Sequence, residues 1–296
     1  MGTLLGMQIR TANREASLRT SEMVLRAIEE VEGRLSTWRE DTELAGFHRI
    51  PAHALGPLSN ATMADLRRAC HWAAETKGAF DPTVGALVQA YNLRNEGRWP
   101  SAEELRTALA NTGVAHLSLT EHGAIRSRAG LRIEEGAFGK GAGLDAAAAV
   151  LKQAKAEMAR IDLGGQWLLF GQGAEIEIAD PRDRSTPRVA WRVPEGSVAT
   201  SGNSERGLVV DGRRLGHVID PRTGRPAEDF GSVSVWCPKA IDADCLATAM
   251  FVMGPKNALA FAQRHKDVEC VIIHVHDGKL EIHASTEAHK HIRVIP

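Results

Sequence analysis

Two Asp-Gly pairs constrain the fold of this chain more than any other feature. Asp211-Gly212 separates segments 207–210 and 214–218, and Asp277-Gly278 separates segments 271–275 and 280–283. A two-residue turn of this kind needs left-handed backbone, and its twist suits antiparallel strands. Each pair therefore predicts a hairpin. A third is expected from 117–119 to 124–126 across Glu121-His122-Gly123. Further strands are predicted at 160–163, 167–170, 175–178 and 232–236.

Helical signals lie between these strands. Val24, Leu25, Ile28, Val31 and Leu35 follow the helical period after Thr20-Ser21, which can cap a first helix. A second opens at Asn60, carries Met63, Leu66, Cys70 and Ala73 on one face, and stops before Gly78. Ser101 and Glu104 form a capping box for a third, which runs to about Ala110. An alanine-rich helix is expected from Gly139 to Ala159, and another from Asp242 to Met253, ended by Gly254-Pro255. A short helix to about His265 follows. Helices and hairpins alternate without a βαβ rhythm. The expected class is α+β with mixed, largely antiparallel sheets. The chain is read as one domain over 1–296, with 1–130 and 131–296 as candidate lobes.

Composition excludes several functions. Lys and Arg total 36 against 37 Asp and Glu, and aromatic residues are 5% of the chain. Neither a strong basic field nor a stacking surface for nucleic acid is expected. No apolar run nears the ~18 residues of a membrane span. The amino terminus lacks the basic and apolar regions of a signal peptide. The expected location is cytoplasmic, or periplasmic if an export segment has been removed. Cys70, Cys237, Cys245 and Cys270 form no C-x-x-C pair, so free buried thiols are expected rather than a metal or redox motif.

Three segments can carry chemistry. Asp244 and Thr248 are four apart, which stacks both on one helix face. A carboxylate and a hydroxyl there are hard oxygen ligands of the kind Mg2+ accepts, and Mg2+ commonly partners a phosphate. The structural alternative is that Asp244 only complements the helix dipole, with Asp242 as the cap. His217-Val-Ile-Asp220-Pro-Arg-Thr-Gly224 ends a strand in a rigid turn. His217 suits proton transfer near neutral pH, with Asp220 as its orienter or as an alternative base; a purely structural turn is the competing reading. Glycines from 136 to 143 around Lys140 can expose N–H groups to a phosphate, or simply make a turn. This is not a Walker A loop, because Glu134 and Gly141 stand where Gly and Ser or Thr are required. The polar segment from Ala199 to Arg206 reads as a loop. His274, His276 and His283 read as structural or exposed.

Taken in order, several motifs resemble the ApbE-type FAD:protein FMN transferases over nearly the whole chain. They are Met1-Gly-Thr3, Ser36-Thr-Trp38 with Glu43-Leu-Ala-Gly-Phe47, and Gly78-Ala-Phe-Asp-Pro-Thr83. Lys140-Gly141 with Asp145, Leu163-Gly-Gly165, Ala199-Thr-Ser-Gly-Asn203, His217 to Gly224, and Asp244 to Thr248 complete the set. The resemblance implies FAD bound in a cleft with Mg2+ at its pyrophosphate. The implied reaction moves FMN to a Thr or Ser hydroxyl of a target protein and releases AMP. It further implies Asp244, Thr248 and the Ala137 carbonyl as metal ligands. Met1, Trp38, Ala79, Phe80, Asp81, Glu134, Lys140 and Val218 match flavin- or adenosine-contacting positions, with Trp38 and Phe80 as flat walls. His217 matches the histidine that assists catalysis. The alternatives are an FAD pyrophosphatase giving FMN and AMP, and a non-catalytic flavin-binding protein. Three departures stand out: Glu134 where the family usually has Asp, Ala142 where it has an aromatic residue, and Gln166 where an acid or Asn is common.

Overall fold

The computed structural model describes residues 3–203 and 207–295. At its centre is a seven-stranded antiparallel sheet whose spatial order is its chain order. The strands are β1 (Leu5–Arg10), β2 (Met158–Leu163), β3 (Gln166–Phe170), β4 (Gly196–Gly202), β5 (Gly231–Cys237), β6 (Glu269–His276) and β7 (Lys279–Ala284). Function is built into the connections. Between β1 and β2 lie α1 (Arg14–Leu35), α2 (Glu43–Arg49), α3 (Asn60–Glu75), α4 (Gly85–Ala90), α5 (Ala102–Ala110) and α6 (Gly139–Gln153). Helices α7 (Ala240–Met253) and α8 (Pro255–Ala262) join β5 to β6, and α9 (Thr286–His289) follows β7.

The sheet is covered on both faces for most of its width. Val24, Ile28, Leu144 and Leu151 of α1 and α6 pack on Ile161, Leu163 and Leu168. Further along the same face, α7 packs on β4 and β5 and α8 packs on β6, with α3 against the outer side of α7. The opposite face receives a three-stranded sheet of Ala174–Asp180, Asp183–Val193 and Ile292–Val294. Its Ile176, Trp191 and Val193 meet Leu169, Val198, Val271 and Ile273. Cover on both faces buries every residue of β5 except the half-buried Trp236, and buries β6 from Cys270 to Ile273. β1 has one covered face and alternates, with Leu5, Met7 and Ile9 turned inward.

Many expected elements are present. Both Asp-Gly turns have positive φ at both residues, 51° and 72° at 211–212 and 48° and 74° at 277–278. The Ser101–Glu104 capping box is complete, and Gly78 follows α3 with φ 77°. All four cysteines are free thiols; three are buried and Cys70 is half-buried. No helix among the described residues is long and apolar enough to cross a membrane.

Four expectations are corrected. α1 begins at Arg14 and is capped by Asn13, whose side chain accepts from Ala16 N at 2.9 Å. The Thr20 and Ser21 hydroxyls instead donate back to carbonyls one turn earlier. The apolar stripe starts only where α1 meets the sheet, so the periodicity concealed the exposed first turns. The alanine-rich helix stops at Gln153, because residues from Met158 on pair with β1. Tertiary pairing there overrides alanine propensity. The polar segment expected as a loop is, up to Gly202, the second half of strand β4, with Ala199 and Gly202 buried, Ser201 half-buried and Thr200 exposed; residues 204–206 lie outside the described residues. The Thr200 hydroxyl finds its partner across the sheet, in the 2.7 Å contact of Thr200 Oγ1 with Ser234 Oγ. Asp242 does not cap α7; its carboxylate pairs with Arg68 and accepts from Trp72 Nε1 at 2.7 Å.

Candidate active site

The N-termini of α6 and α7 cross where Gly141 lies against residues 240–241. A Cβ on Gly141 would collide with the Ala240 carbonyl oxygen and sit 2.5 Å from Ile241 Cα, so only glycine permits this approach. The first turn of a helix leaves N–H groups without internal partners. Here each helix is capped by an acid of the other. Asp145 of α6 accepts from Ala240 N at 2.8 Å and Ile241 N at 3.2 Å. Asp244 of α7 accepts from Gly141 N at 2.9 Å and from Lys140 Nζ at 3.1 Å. Both carboxylates also meet the positive end of the facing helix dipole. Asp244 is only 4% exposed. Thr248 follows one turn later on the same edge and is half-buried. Ala137 closes the 3-10 turn Glu135–Ala137, which leads into α6 and packs against both helices. Asp244, Lys140, Thr248 and Ala137 are thus gathered around one crossing.

A second cluster stands at the entry to that 3-10 turn. Arg94 donates to Glu134 Oε2 at 2.6 Å and to the Thr37 carbonyl at 2.7 Å. Its guanidinium lies 4.8 Å from the centre of the Trp38 ring. That ring is 58% exposed, so its other face is open to a flat partner. Glu135 accepts from Thr37 N at 3.1 Å and from the Thr37 hydroxyl. Burial, reinforced by the neighbouring Glu135 charge and opposed by Arg94, raises the Glu134 pKa to about 7. His48 fixes the preceding residue by accepting from Ile133 N at 2.9 Å. Burial and the nearby charges of Arg132, Arg126 and Arg94 hold His48 neutral, with its pKa lowered to about 3.

The 79–81 segment lies largely in the core. Ala79 and Phe80 are 0% and 2% exposed and belong to the main apolar cluster. Phe80 therefore offers its ring to the core and not to a ligand, which corrects its reading as a flat wall. Asp81 is also turned inward. It accepts from Thr83 N at 2.8 Å, Thr83 Oγ1 at 2.6 Å and Val114 N at 3.0 Å, while burial raises its pKa. Its side chain staples the backbone, so ligand contact by this segment would fall to main-chain groups. Met1 lies outside the described residues.

The His217–Gly224 turn packs beside Gly78, where a Cβ would be 3.5 Å from Arg222 Cγ. His217 is half-buried ahead of the short strand Ile219–Asp220. Val218 is buried and belongs to the main core cluster, which also contains Phe138, Ala142 and Ala247. Both Asp220 oxygens are held by Arg222, through Nε at 2.9 Å and a terminal nitrogen at 2.9 Å. Its backbone carbonyl accepts from Gly224 N at 2.8 Å. Asp220 is thus built as a turn-forming carboxylate, and this geometry does not support its reading as an alternative base.

The sequence alone gives no role to Arg94, Thr37, Glu135 or Asp145, although Thr37 and Asp145 lie within the family motifs. Arg94 lacked any local signal; its importance comes from the contact with Trp38 and Glu134. Gln166 and Ala142 are both structural. Gln166 Nε2 donates to the Ala240 carbonyl at 2.8 Å, and Ala142 is 4% exposed. A cleft of about 470 Å³ beside α3 is lined by Asp65, Arg67, Arg68, His71, Asp145 and Lys239. It excludes Asp244, Thr248 and His217, and its charges are partly paired by Arg34–Asp65 and Arg68–Asp242.

Comparison with known proteins gives a consistent result. The model of the ApbE family matches residues 1–272. An FAD:protein FMN transferase of Vibrio cholerae serotype O1 is 31% identical over 271 residues, covering 88% of this chain and 81% of the relative. The FAD:protein FMN transferase of Escherichia coli K12 is 28% identical over 278 residues, covering 89% and 79%. The solved flavin transferase ApbE from Vibrio cholerae superposes with a TM-score of 0.84 at 28% identity, over 98% of this chain and 96% of that one. The ApbE protein of Thermotoga maritima gives 0.87 at 28% identity, over 97% and 94%. Matched in sequence over nine-tenths of its length and in fold over nearly all of it, the chain belongs to the ApbE family.

Proposed function

We propose that this chain transfers the FMN moiety of FAD to a Thr or Ser hydroxyl of an acceptor protein, with Mg2+ required and AMP released. The observation that carries this reading is the α6/α7 crossing, where a buried carboxylate, a lysine and two helix N-termini converge. A site of that composition suits a diphosphate and a hard cation together. Family membership supplies the chemistry, since the relatives described above are FAD:protein FMN transferases.

The residues fit Mg2+. Asp244 already faces a cation, Lys140, and a carboxylate has about four lone-pair sites, so its two present donors leave capacity. Thr248 and the Ala137 carbonyl complete a set of hard oxygens. When bound, the ion neutralises phosphate charge and polarises the leaving oxygen. Lys140 adds a fixed positive charge for the phosphates. Trp38 offers its uncovered face to a flat ring, and Glu134 can accept from nucleotide donors or, near its raised pKa, present a proton. His217 takes the proton of the acceptor hydroxyl as that oxygen bonds to the FMN phosphorus. The P–O bond to AMP breaks, and AMP leaves with the bonding pair. Arg222 and Asp220 set the conformation of the turn that carries His217.

The test is co-incubation with FAD, Mg2+ and candidate acceptor proteins, followed by mass spectrometry for an added FMN. Wild type should modify the acceptor, and a chelator should stop it. Asp244→Ala should abolish turnover in a folded protein. His217→Asn should slow it by roughly 10²–10⁴-fold, the usual contribution of a positioned base. Free FMN and AMP as the sole products, or no FAD turnover by wild type, would overturn the proposal.

A further inference from the structure

The β6–β7 hairpin carries a cluster with no role in the chemistry above. Its Asp277-Gly278 turn fixes the register, so that His274 faces Glu281 and Ile272 faces His283. The two-residue period puts Glu281 and His283 on one face of β7, and His274 projects from the same face of β6. Their donor atoms all lie within 4.8 Å of one another. Glu281 Oε2 is 3.5 Å from His283 Nε2 and 3.9 Å from His274 Nδ1.

We propose that His274, Glu281 and His283 form a second metal site, selective for zinc(II) and similar borderline transition ions. Two imidazoles and one carboxylate are a recurrent zinc donor set. Zinc–ligand bonds of about 2.0–2.1 Å place tetrahedral donors roughly 3.3 Å apart. The separations here reach that value through small side-chain rotations. Imidazole donors also discriminate against Mg2+, which prefers oxygen. The two sites therefore select different ions.

The arrangement is partly preorganised. The His274 ring packs edge-on to Phe230 with centroids 6.1 Å apart, and Phe230 stacks on Phe251 at 4.8 Å. This aromatic row limits the rotamers of His274. Side-chain exposures of 26%, 40% and 52% for His274, His283 and Glu281 leave an entry path and an open fourth position for water. His276, with its ring centre 5.7 Å from that of His274, is a further imidazole on the same face. β7 is the end strand of the central sheet, so a metal bridging β6 and β7 clamps the exposed edge.

The experiment is titration of the full chain with Co2+ in excess Mg2+, followed by displacement with Zn2+. Co2+ serves as the visible reporter of low-symmetry, tetrahedral coordination. One Co2+ per chain should bind with that absorption and be displaced by Zn2+. His274→Gln, His283→Gln and Glu281→Gln should each weaken binding by at least about 10-fold, since even outer-shell losses cost that much. Glu281 is the most exposed of the three, so its variant keeps the test valid if a histidine variant misfolds. Asp244→Ala and His289→Gln should leave the Co2+ signal unchanged. No Co2+ uptake at millimolar concentration, or uptake unaffected by the Glu281 and His283 substitutions, would overturn the proposal.

Discussion

Replacing Gly141 by Ala should destabilise the protein although alanine is the better helix former. A Cβ at residue 141 would sit 2.5 Å from Ile241 Cα and 2.7 Å from the Ala240 carbonyl carbon, both backbone atoms. Restoring tight but tolerable contact near 3.4 Å requires the helices to part by roughly 1 Å. The Gly141 N–Asp244 bond, now 2.9 Å, would then stretch beyond hydrogen-bonding range. Loss of that charge-assisted bond costs about 1.5–3 kcal/mol. Residual overpacking costs about 1–3 kcal/mol. The propensity gain of about 1 kcal/mol offsets part of this, leaving a net loss of roughly 1.5–5 kcal/mol. Gly33 in α1 is the matched control. A Cβ there meets nothing within 4 Å, so Gly33→Ala should stabilise by about 0.5–1 kcal/mol. Urea unfolding of the two variants beside wild type reads both values. The reasoning is refuted if Gly141→Ala lies within about 0.5 kcal/mol of wild type, or if the two substitutions shift stability in the same direction.

Two further outcomes are expected. The Glu134 pKa is raised in the folded state from 4.5 to about 7, so its contribution is fully present below the unfolded value and is lost as pH rises through the folded one. Glu134→Gln should therefore gain stability relative to wild type between about pH 4.5 and 7, and thermal midpoints that run parallel across that window would contradict this. Arg68→Ala strips the main partner from Asp242, whose side chain is 7% exposed, and leaves only Trp72 Nε1 to satisfy it. The expected loss is about 3 kcal/mol, at the low end for a broken buried pair because Arg68 is itself 37% exposed. A double substitution that also changes Asp242 to Asn should recover part of that loss; no recovery would mean that packing, not charge, dominates.

The sequence by itself determined the local elements and the family. The Asp-Gly turns, the Ser101–Glu104 capping box and the stripe of α3 act between residues a few positions apart, so their physics is written in short windows. The motif order was likewise legible, as was the helical stacking of Asp244 and Thr248. Tertiary structure alone decided which polar residues become core and which become site. β4 looked like a loop because the Thr200 hydroxyl finds its partner only across the sheet. Asp242 looked like a cap, but the cap of α7 comes from Asp145, 95 positions earlier in the chain. Phe80 looked like a ligand wall until its ring was found in the core. Arg94 had no local signature because Trp38 and Glu134 meet it from distant segments. The His274, Glu281 and His283 cluster depends on cross-strand register, which brings His274 opposite Glu281. In each case the deciding interaction joins segments separated in the chain, and burial sets its strength. Neither the partner nor the burial is encoded in the neighbouring residues.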